Sequence, residues 1–98
     1  MINFNILEDR KRIIMYSIRY CITRRSYALS DAKELILAYG KDLQPHLLYT
    51  LIDDVEYEIS QCDRTKDNYC KTQLVFLKNL IKEILYEKGI NEWVLVQI

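Results

Sequence analysis

The sequence has few of the residues that make tight turns, with two glycines and one proline among 98 residues. A protein built from many short strands needs such residues at its turns, so their scarcity favours helices joined by short connections. No apolar run approaches the roughly 20 residues that a membrane-spanning helix requires. No signal peptide is recognisable either. We therefore expect a mainly α protein of the cytoplasm, without a membrane as partner.

Residues that bind metals or perform catalysis are also scarce. His46 is the only histidine, and the three cysteines (Cys21, Cys62 and Cys70) include no C-x-x-C pair. A metal site needs several such ligands in one place, and no glycine-rich phosphate loop is present. An odd, dispersed set of cysteines indicates reduced thiols rather than disulfides. We expect no metal, no cofactor and no catalytic residue, and thus no enzyme.

The net charge is zero, but the charges are unevenly placed. Residues 1–28 carry six basic and two acidic side chains, residues 29–63 carry two and eight, and residues 64–98 carry six and four. The net charge thus points to neither nucleic acid nor membrane, and the opposed segments are expected to lie side by side. In particular, Arg24 or Arg25 is expected near Asp53, Asp54 or Glu56.

Apolar residues at spacings of three and four predict four amphipathic helices. Their predicted limits are about Leu7–Arg24, Asp31–Tyr39, Pro45–Ser60 and Asn68–Lys88. Gly40 is expected to end the second helix in a left-handed conformation. The predicted core-facing residues are Ile14, Ile18, Cys21 and Ile22; Leu35, Ile36 and Ala38 or Tyr39; Leu48, Leu51, Ile52, Val55 and Ile59; and Leu74, Leu77, Ile81 and Ile84, with Leu80 and Leu85 beside them.

The predicted fold is a single, compact four-helix domain over residues 1–98, with short extended or β-like segments at both ends. Met1–Ile6 alternates apolar and polar residues, which suggests a short strand or a hydrophobic arm. The tail Trp93–Ile98 is apolar and rich in β-branched residues, as strands are. Because an unpaired edge invites aggregation, the tail should pair with the N-terminal segment, pack in a groove or meet another chain.

The outer face of helix 1 is the first candidate for a partner-binding surface. Arginine and tyrosine are over-represented among residues that dominate binding energy, and both can also stack on nucleic-acid bases. A solvated face, with tyrosine rings lying over arginine stems, is the structural alternative. The candidate residues are Arg12, Tyr16, Arg19 and Tyr20, followed by Arg24 and Arg25 in the next connection.

The outer face of helix 3 is a second candidate partner-binding surface, with Tyr49, Asp53, Glu56 and Tyr57. Helix 2, Gly40 and helix 3 also have the outline of a helix-turn-helix. The carboxylates of helix 3 would repel phosphate, however, which argues against reading DNA with this helix. If nucleic acid binds, the arginines of helix 1 are the better surface.

The stretch RYCITRRSYALSD (Arg19–Asp31), followed by the acidic LIDDVEYEI (Leu51–Ile59), resembles short proteins of phages and prophages. Those proteins carry an R-Y-A-x-G-R-x-T-Y-like run and later an acidic D-I-E-like helix. The resemblance spans residues 13–59, and this chain departs from it with Cys21 and Thr23 in place of Ala and Gly. It implies a phage or mobile-element origin and brings neither an assigned activity nor functional residues.

These observations rank three hypotheses. The first is a small protein-binding module, a phage or mobile-element accessory protein that inhibits a host defence or regulatory complex, as anti-CRISPR proteins do. The second is a small nucleic-acid-binding regulator that uses the arginine and tyrosine face of helix 1. The third is a structural homo-oligomer, such as a homodimer formed through the terminal segments.

Overall fold

The computed structural model describes the backbone of residues 2–24 and 28–89, with side chains from Arg10 onward. Its four α-helices are α1 (Ile2–Arg24), α2 (Ala28–Tyr39), α3 (Pro45–Thr65) and α4 (Asn68–Glu87), and a 3₁₀ turn at Gly40–Asp42 follows α2. No strand occurs among these residues. The predicted mainly α, compact four-helix fold is confirmed.

The helices form a closed bundle. Helix α1 packs against α2 and α3, and α4 packs against the same two helices. Within the described residues, α2 and α3 lie diagonally across the bundle and share no substantial interface. The helix-turn-helix outline in the sequence is therefore not a packed helix-turn-helix motif, because the two helices of that motif pack on each other.

One hydrophobic core joins all four helices, and the periodicity of α3 and α4 predicts half of its buried residues. The predicted residues of these two helices are buried, except that Ile59 and Leu80 are half-buried against the core. Helices α1 and α2 close the core from the other side. The largest side chains with essentially no exposure are Ile18, Ile22, Ile36, Leu43, Leu48, Leu51, Leu74, Leu77, Ile81 and Leu85.

The predicted core faces of α1 and α2 need correction. On α1 it is Met15 that is buried, whereas Ile14 and Cys21 are only half-buried. On α2, Leu35 is half-buried and Ala38 and Tyr39 are exposed. Instead, α2 begins at Ala28 and buries Ala28, Leu29, Ala32 and Ile36. Periodicity finds the apolar side of a helix, but the neighbouring helices decide which adjacent position points inward.

Helix α3 continues past the predicted limit at Ser60 to Thr65, and Cys62 in this extension is buried in the core. Lys66 ends the helix in a left-handed conformation, with φ 59° and ψ 36°. The Asp67 side chain then caps α4 by accepting a hydrogen bond from the Cys70 N–H at 3.1 Å. Gly89 follows the last turn of α4 with φ 86°, in the left-handed region that glycine adopts readily.

Gly40 has a different role from the predicted left-handed stop. Its φ is not positive, and it is buried in the 3₁₀ turn that follows α2. A Cβ atom at this position would lie 2.7 Å from the Ile84 Cδ1 atom of α4. A side chain at position 40 would therefore force the end of the Ile84 side chain to move.

The N-terminal segment is helical where it is described, since α1 begins at Ile2 rather than near Leu7. Extending a helix that already exists needs only one more hydrogen bond per residue, so a short alternating pattern does not stop it. Met1 and the tail Trp93–Ile98 lie outside the described residues, and pairing of the two ends stays a prediction. None of the described helices has both the length and the hydropathy to cross a bilayer.

Candidate functional site

The predicted binding face of α1 points away from the core. Arg12, Tyr16, Arg19 and Tyr20 follow one another at helical spacing, and all four are exposed. The Tyr16 and Tyr20 side chains are 65% and 61% exposed, although tyrosine rings are large apolar surfaces. The bundle thus buries its core without using these rings.

Arg19 is held in place by an acidic residue of α3. Its Nε donates to Asp54 Oδ2 at 2.7 Å, and its Nη2 donates to Asp54 Oδ1 at 3.3 Å. This two-point geometry fixes the plane of the guanidinium group as well as its position. The hydrogen bond to Asp54 raises the pKa of Arg19 above its ordinary value. The arginine is therefore a permanently charged and oriented group at the α1–α3 contact.

A groove opens between the outer face of α1 and the first turns of α3. Its volume is about 360 Å³. Met15 and Leu47, which pack in or against the core, provide its apolar surface. The lining residues are Lys11, Arg12, Met15, Tyr16 and Arg19 from α1, Gln44 just before α3, and His46, Leu47 and Thr50 from the start of α3.

The groove brings together three of the predicted binding residues and leaves the others outside. Arg12, Tyr16 and Arg19 line it, whereas Tyr20 does not. The Arg24 guanidinium lies over the Tyr20 ring at 5.6 Å, which is a cation–π contact beyond the groove. Arg25 lies outside the described residues. The predicted approach of Arg24 or Arg25 to the acidic residues of α3 stays untested, but Arg19 makes such a contact.

The four residues of the second predicted surface, on α3, differ in what they contact. Tyr49 packs partly against the core, and Glu56 forms an ion pair with Lys78 of α4 at 2.8 Å. Asp53 and Tyr57 point outward one turn apart, and Tyr57 is 62% exposed. Only these two of the four predicted residues form a free outer ridge.

The flank of α3 also holds the one buried charged residue of the described chain. Glu58 is 8% exposed, although glutamate is almost never fully buried unless it is paired. It makes contacts within the structure, and no buried side-chain polar atom of the described residues is left without a hydrogen bond. Glu58 is thus part of the folded interior rather than of a binding surface.

The cysteines lie away from the groove. Cys62 and Cys70 are buried, and Cys21 is half-buried on α1. Burial raises the pKa of the Cys21 thiol, and the nearby charge of Asp31 raises it further. A raised pKa disfavours the thiolate, which is the nucleophilic form. Among the described residues, no group of three or more histidine, cysteine or acidic side chains is placed to hold a metal ion.

Sequence reasoning identifies the α1 wall of the groove but not the α3 wall. The helical periodicity of α1 is sufficient to place Arg12, Tyr16 and Arg19 on one outer face. His46 and Leu47 join them only because α3 begins beside α1, and no local pattern records that contact. A signal was present in Pro45, which marks the start of a helix and therefore the place where His46 would be exposed.

A scan against protein-family models finds no match for this chain, and searches of curated proteins and of solved structures find no similar protein.

Proposed function

We propose that this protein is a small protein-binding module that engages its partner through the outer face of α1 and the groove beside it. The observation that carries the proposal is the exposure of Tyr16, 65%, next to the oriented arginine Arg19. Tyrosine and arginine supply much of the binding energy at protein interfaces, especially beside a pocket that excludes water. Neither side chain contributes to the buried core.

The charge of the whole chain supports a protein partner over a nucleic acid. Proteins that bind nucleic acid without base recognition use a continuous basic surface along the phosphate backbone. Here the net charge is zero, and the cation of Arg19 is paired with Asp54. The exposed carboxylate of Asp53 lies on the same helix as Asp54. A localised contact with a protein is therefore favoured over a track along a strand.

The test compares the wild-type chain with the double variant Tyr16→Ala/Arg19→Ala. Both changes are on the surface, and the lost ion pair contributes only about 0–1 kcal/mol, so the variant should fold with wild-type helicity. The binding free energy for the partner should weaken by at least about 2 kcal/mol, which raises the dissociation constant roughly thirtyfold. The measurements are the circular dichroism melting curve and the dissociation constant for the partner isolated with the tagged chain.

The matched control changes the same residue types elsewhere, at Arg64 and Tyr86. Tyr86 is 63% exposed, which matches Tyr16, and both control positions lie away from the groove. Arg64→Ala/Tyr86→Ala should bind as the wild type does. Equal loss in both double variants, or no loss in Tyr16→Ala/Arg19→Ala, would contradict the proposal; normal binding by the latter would direct attention to Asp53 and Tyr57.

A nucleic-acid-binding regulator is the second candidate, because the groove contains Lys11, Arg12 and Arg19 beside the Tyr16 ring. Stacking of a base on an aromatic ring next to cations is a common mode of single-strand binding. This function predicts binding to random-sequence DNA or RNA that weakens steeply with salt. A salt titration with both ligands therefore decides between the two candidates.

The resemblance to phage proteins supports a more specific version of the proposal, in which the partner belongs to a host defence or regulatory complex. Expression in a bacterium with an active CRISPR system, followed by phage plating, tests it. The wild-type chain should restore phage growth, whereas Tyr16→Ala/Arg19→Ala should not. Unchanged interference with the wild-type chain would argue against an anti-CRISPR-like role in that system.

A further inference from the structure

Several basic side chains line the groove between α1 and α3. Lys11, Arg12 and Arg19 line it together with His46, and none of the described lining residues is acidic. Arg19 is paired with the Asp54 carboxylate at 2.7 Å, and Arg12 also interacts with another residue of the chain. An anionic ligand therefore has a complementary surface in front of Arg19.

Arg19 retains hydrogen-bond donors for such a ligand. A guanidinium group has five N–H donors in a rigid fork. Asp54 takes the Nε donor and one from Nη2, and the remaining three have no acceptor within the described part of the chain. The side chain is 47% exposed, so these donors are accessible. Because Asp54 has already fixed the guanidinium, a ligand carboxylate would meet an arginine that needs little ordering.

The apolar part of the groove favours a peptide as the class of ligand. Met15 and Leu47 form an apolar surface next to the Tyr16 ring, and such a surface gains little from a sugar–phosphate backbone. The volume of about 360 Å³ lies at the lower end of ligand pockets and suits a few side chains. A peptide with acidic residues next to an apolar side chain would match both the basic and the apolar side chains that line the groove.

We infer that the groove binds an acidic segment of the partner protein, with a carboxylate on Arg19 and an apolar side chain against Met15 and Leu47. This inference rests on the proposed function, since it names the part of the partner that the α1 face recognises. It assigns Asp54 the role of a positioning residue, which acts through Arg19 and does not itself contact the ligand.

A displayed library of random short peptides provides the probe. Selection on the intact wild-type chain should enrich peptides with two or more Asp or Glu residues beside Leu, Phe or Trp. A synthetic peptide of the enriched sequence should lose at least about tenfold in affinity on Arg19→Lys, because lysine keeps the charge but not the fork. Arg64→Ala should leave the affinity unchanged, and melting curves should show that both variants are folded.

The outcomes separate this inference from the proposed function. Enriched peptides that depend on Tyr16 but carry no excess of acidic residues would overturn the inference and leave the protein-binding proposal standing. Acidic peptides that bind equally well to Arg19→Lys would reduce the contact to general charge attraction and would also overturn it. A library without any peptide that depends on Tyr16 or Arg19, together with salt-sensitive binding of single-stranded DNA, would overturn both.

Discussion

At the scale of the residue, Tyr16 and Arg19 have different relations to the fold although they lie one turn apart on α1. Tyr16 exposes most of its ring, whereas Arg19 is tied to α3 through Asp54. A change at Tyr16 therefore reports on binding alone. A change at Arg19 removes a binding donor and a contact between helices at once, which is why its conservative replacement by lysine is the more informative variant.

The contact between Gly40 and Ile84 leads to a prediction about stability. Gly40→Ala should destabilise the protein by about 1–3 kcal/mol, because the new methyl group meets Ile84 Cδ1 at 2.7 Å in a packed core. Ile84→Val removes that carbon atom and should by itself cost about 0.5–1.5 kcal/mol. The double variant should be more stable than the sum of the two losses indicates, with a coupling of about 0.5–3 kcal/mol in urea unfolding.

If alanine at position 40 acted through the backbone conformation of the turn, the same experiment would give a different result. Shortening Ile84 would then not help, and the two losses would add. The φ of Gly40 is not positive, so alanine can adopt the conformation of the turn. Additive losses would show that the turn, and not the contact with α4, requires the glycine.

At the scale of the element, α4 carries the most regular part of the core. Leu74, Leu77 and Ile81 are essentially unexposed, and Ile84 and Leu85 continue the stripe. Helix α4 starts from a capped N-terminus at Asp67 and ends before Gly89, so its limits depend on local residues. This agreement between local signals and packing explains why α4 is predicted so closely from the sequence.

Ile81→Ala should lower the free energy of unfolding by about 2–5 kcal/mol, since it leaves a cavity in the middle of the bundle. Ile81 has 0% exposure, so solvent cannot fill the space. The matched control is Ile13→Ala, which removes the same side chain where it is 63% exposed and should change stability by less than about 0.5 kcal/mol. Similar urea midpoints for the two variants would show that α4 faces a partner rather than the core.

Helix α3 is the acidic element of the bundle, and several of its carboxylates form ion pairs with basic residues of α1 and α4. Asp54 pairs with Arg19 of α1, and Glu56 pairs with Lys78 of α4. Asp63 pairs with Lys71 of α4 at 2.6 Å. The prediction that opposed charge segments lie side by side is confirmed for these pairs. Each exposed pair contributes about 0–1 kcal/mol, so together they orient α3 more than they stabilise it.

At the scale of the whole molecule, the fold and the proposed function use the same contact between α1 and α3, but a charge swap can separate them. The variant Arg19→Asp/Asp54→Arg keeps an ion pair between the two helices. Its unfolding free energy should stay within about 1 kcal/mol of the wild-type value. Its affinity for the partner should fall as in Arg19→Ala, because the cation has moved from α1 to α3.

The single variants provide the reference for the swap. Asp54→Arg alone brings two cations together, and Arg19→Asp alone brings two carboxylates together, so each should be less stable than the swap. Wild-type affinity in the swapped protein would mean that the partner senses only the local charge. An unfolded swap, judged by circular dichroism, would mean that the geometry of this pair is structural.

The sequence by itself determined the number of helices, the apolar stripes of α3 and α4, and the outward face of α1 with Arg12, Tyr16 and Arg19. These features depend on the period of the helix and on local caps, which every residue experiences within its own segment. Only the tertiary structure decided that Met15 is buried in place of Ile14, and that Gly40 serves a close approach to α4. It also decided that His46 and Leu47 complete the groove and that Asp54 holds Arg19. Those features depend on which helices become neighbours across the core, and a pattern within one helix contains no record of its neighbours.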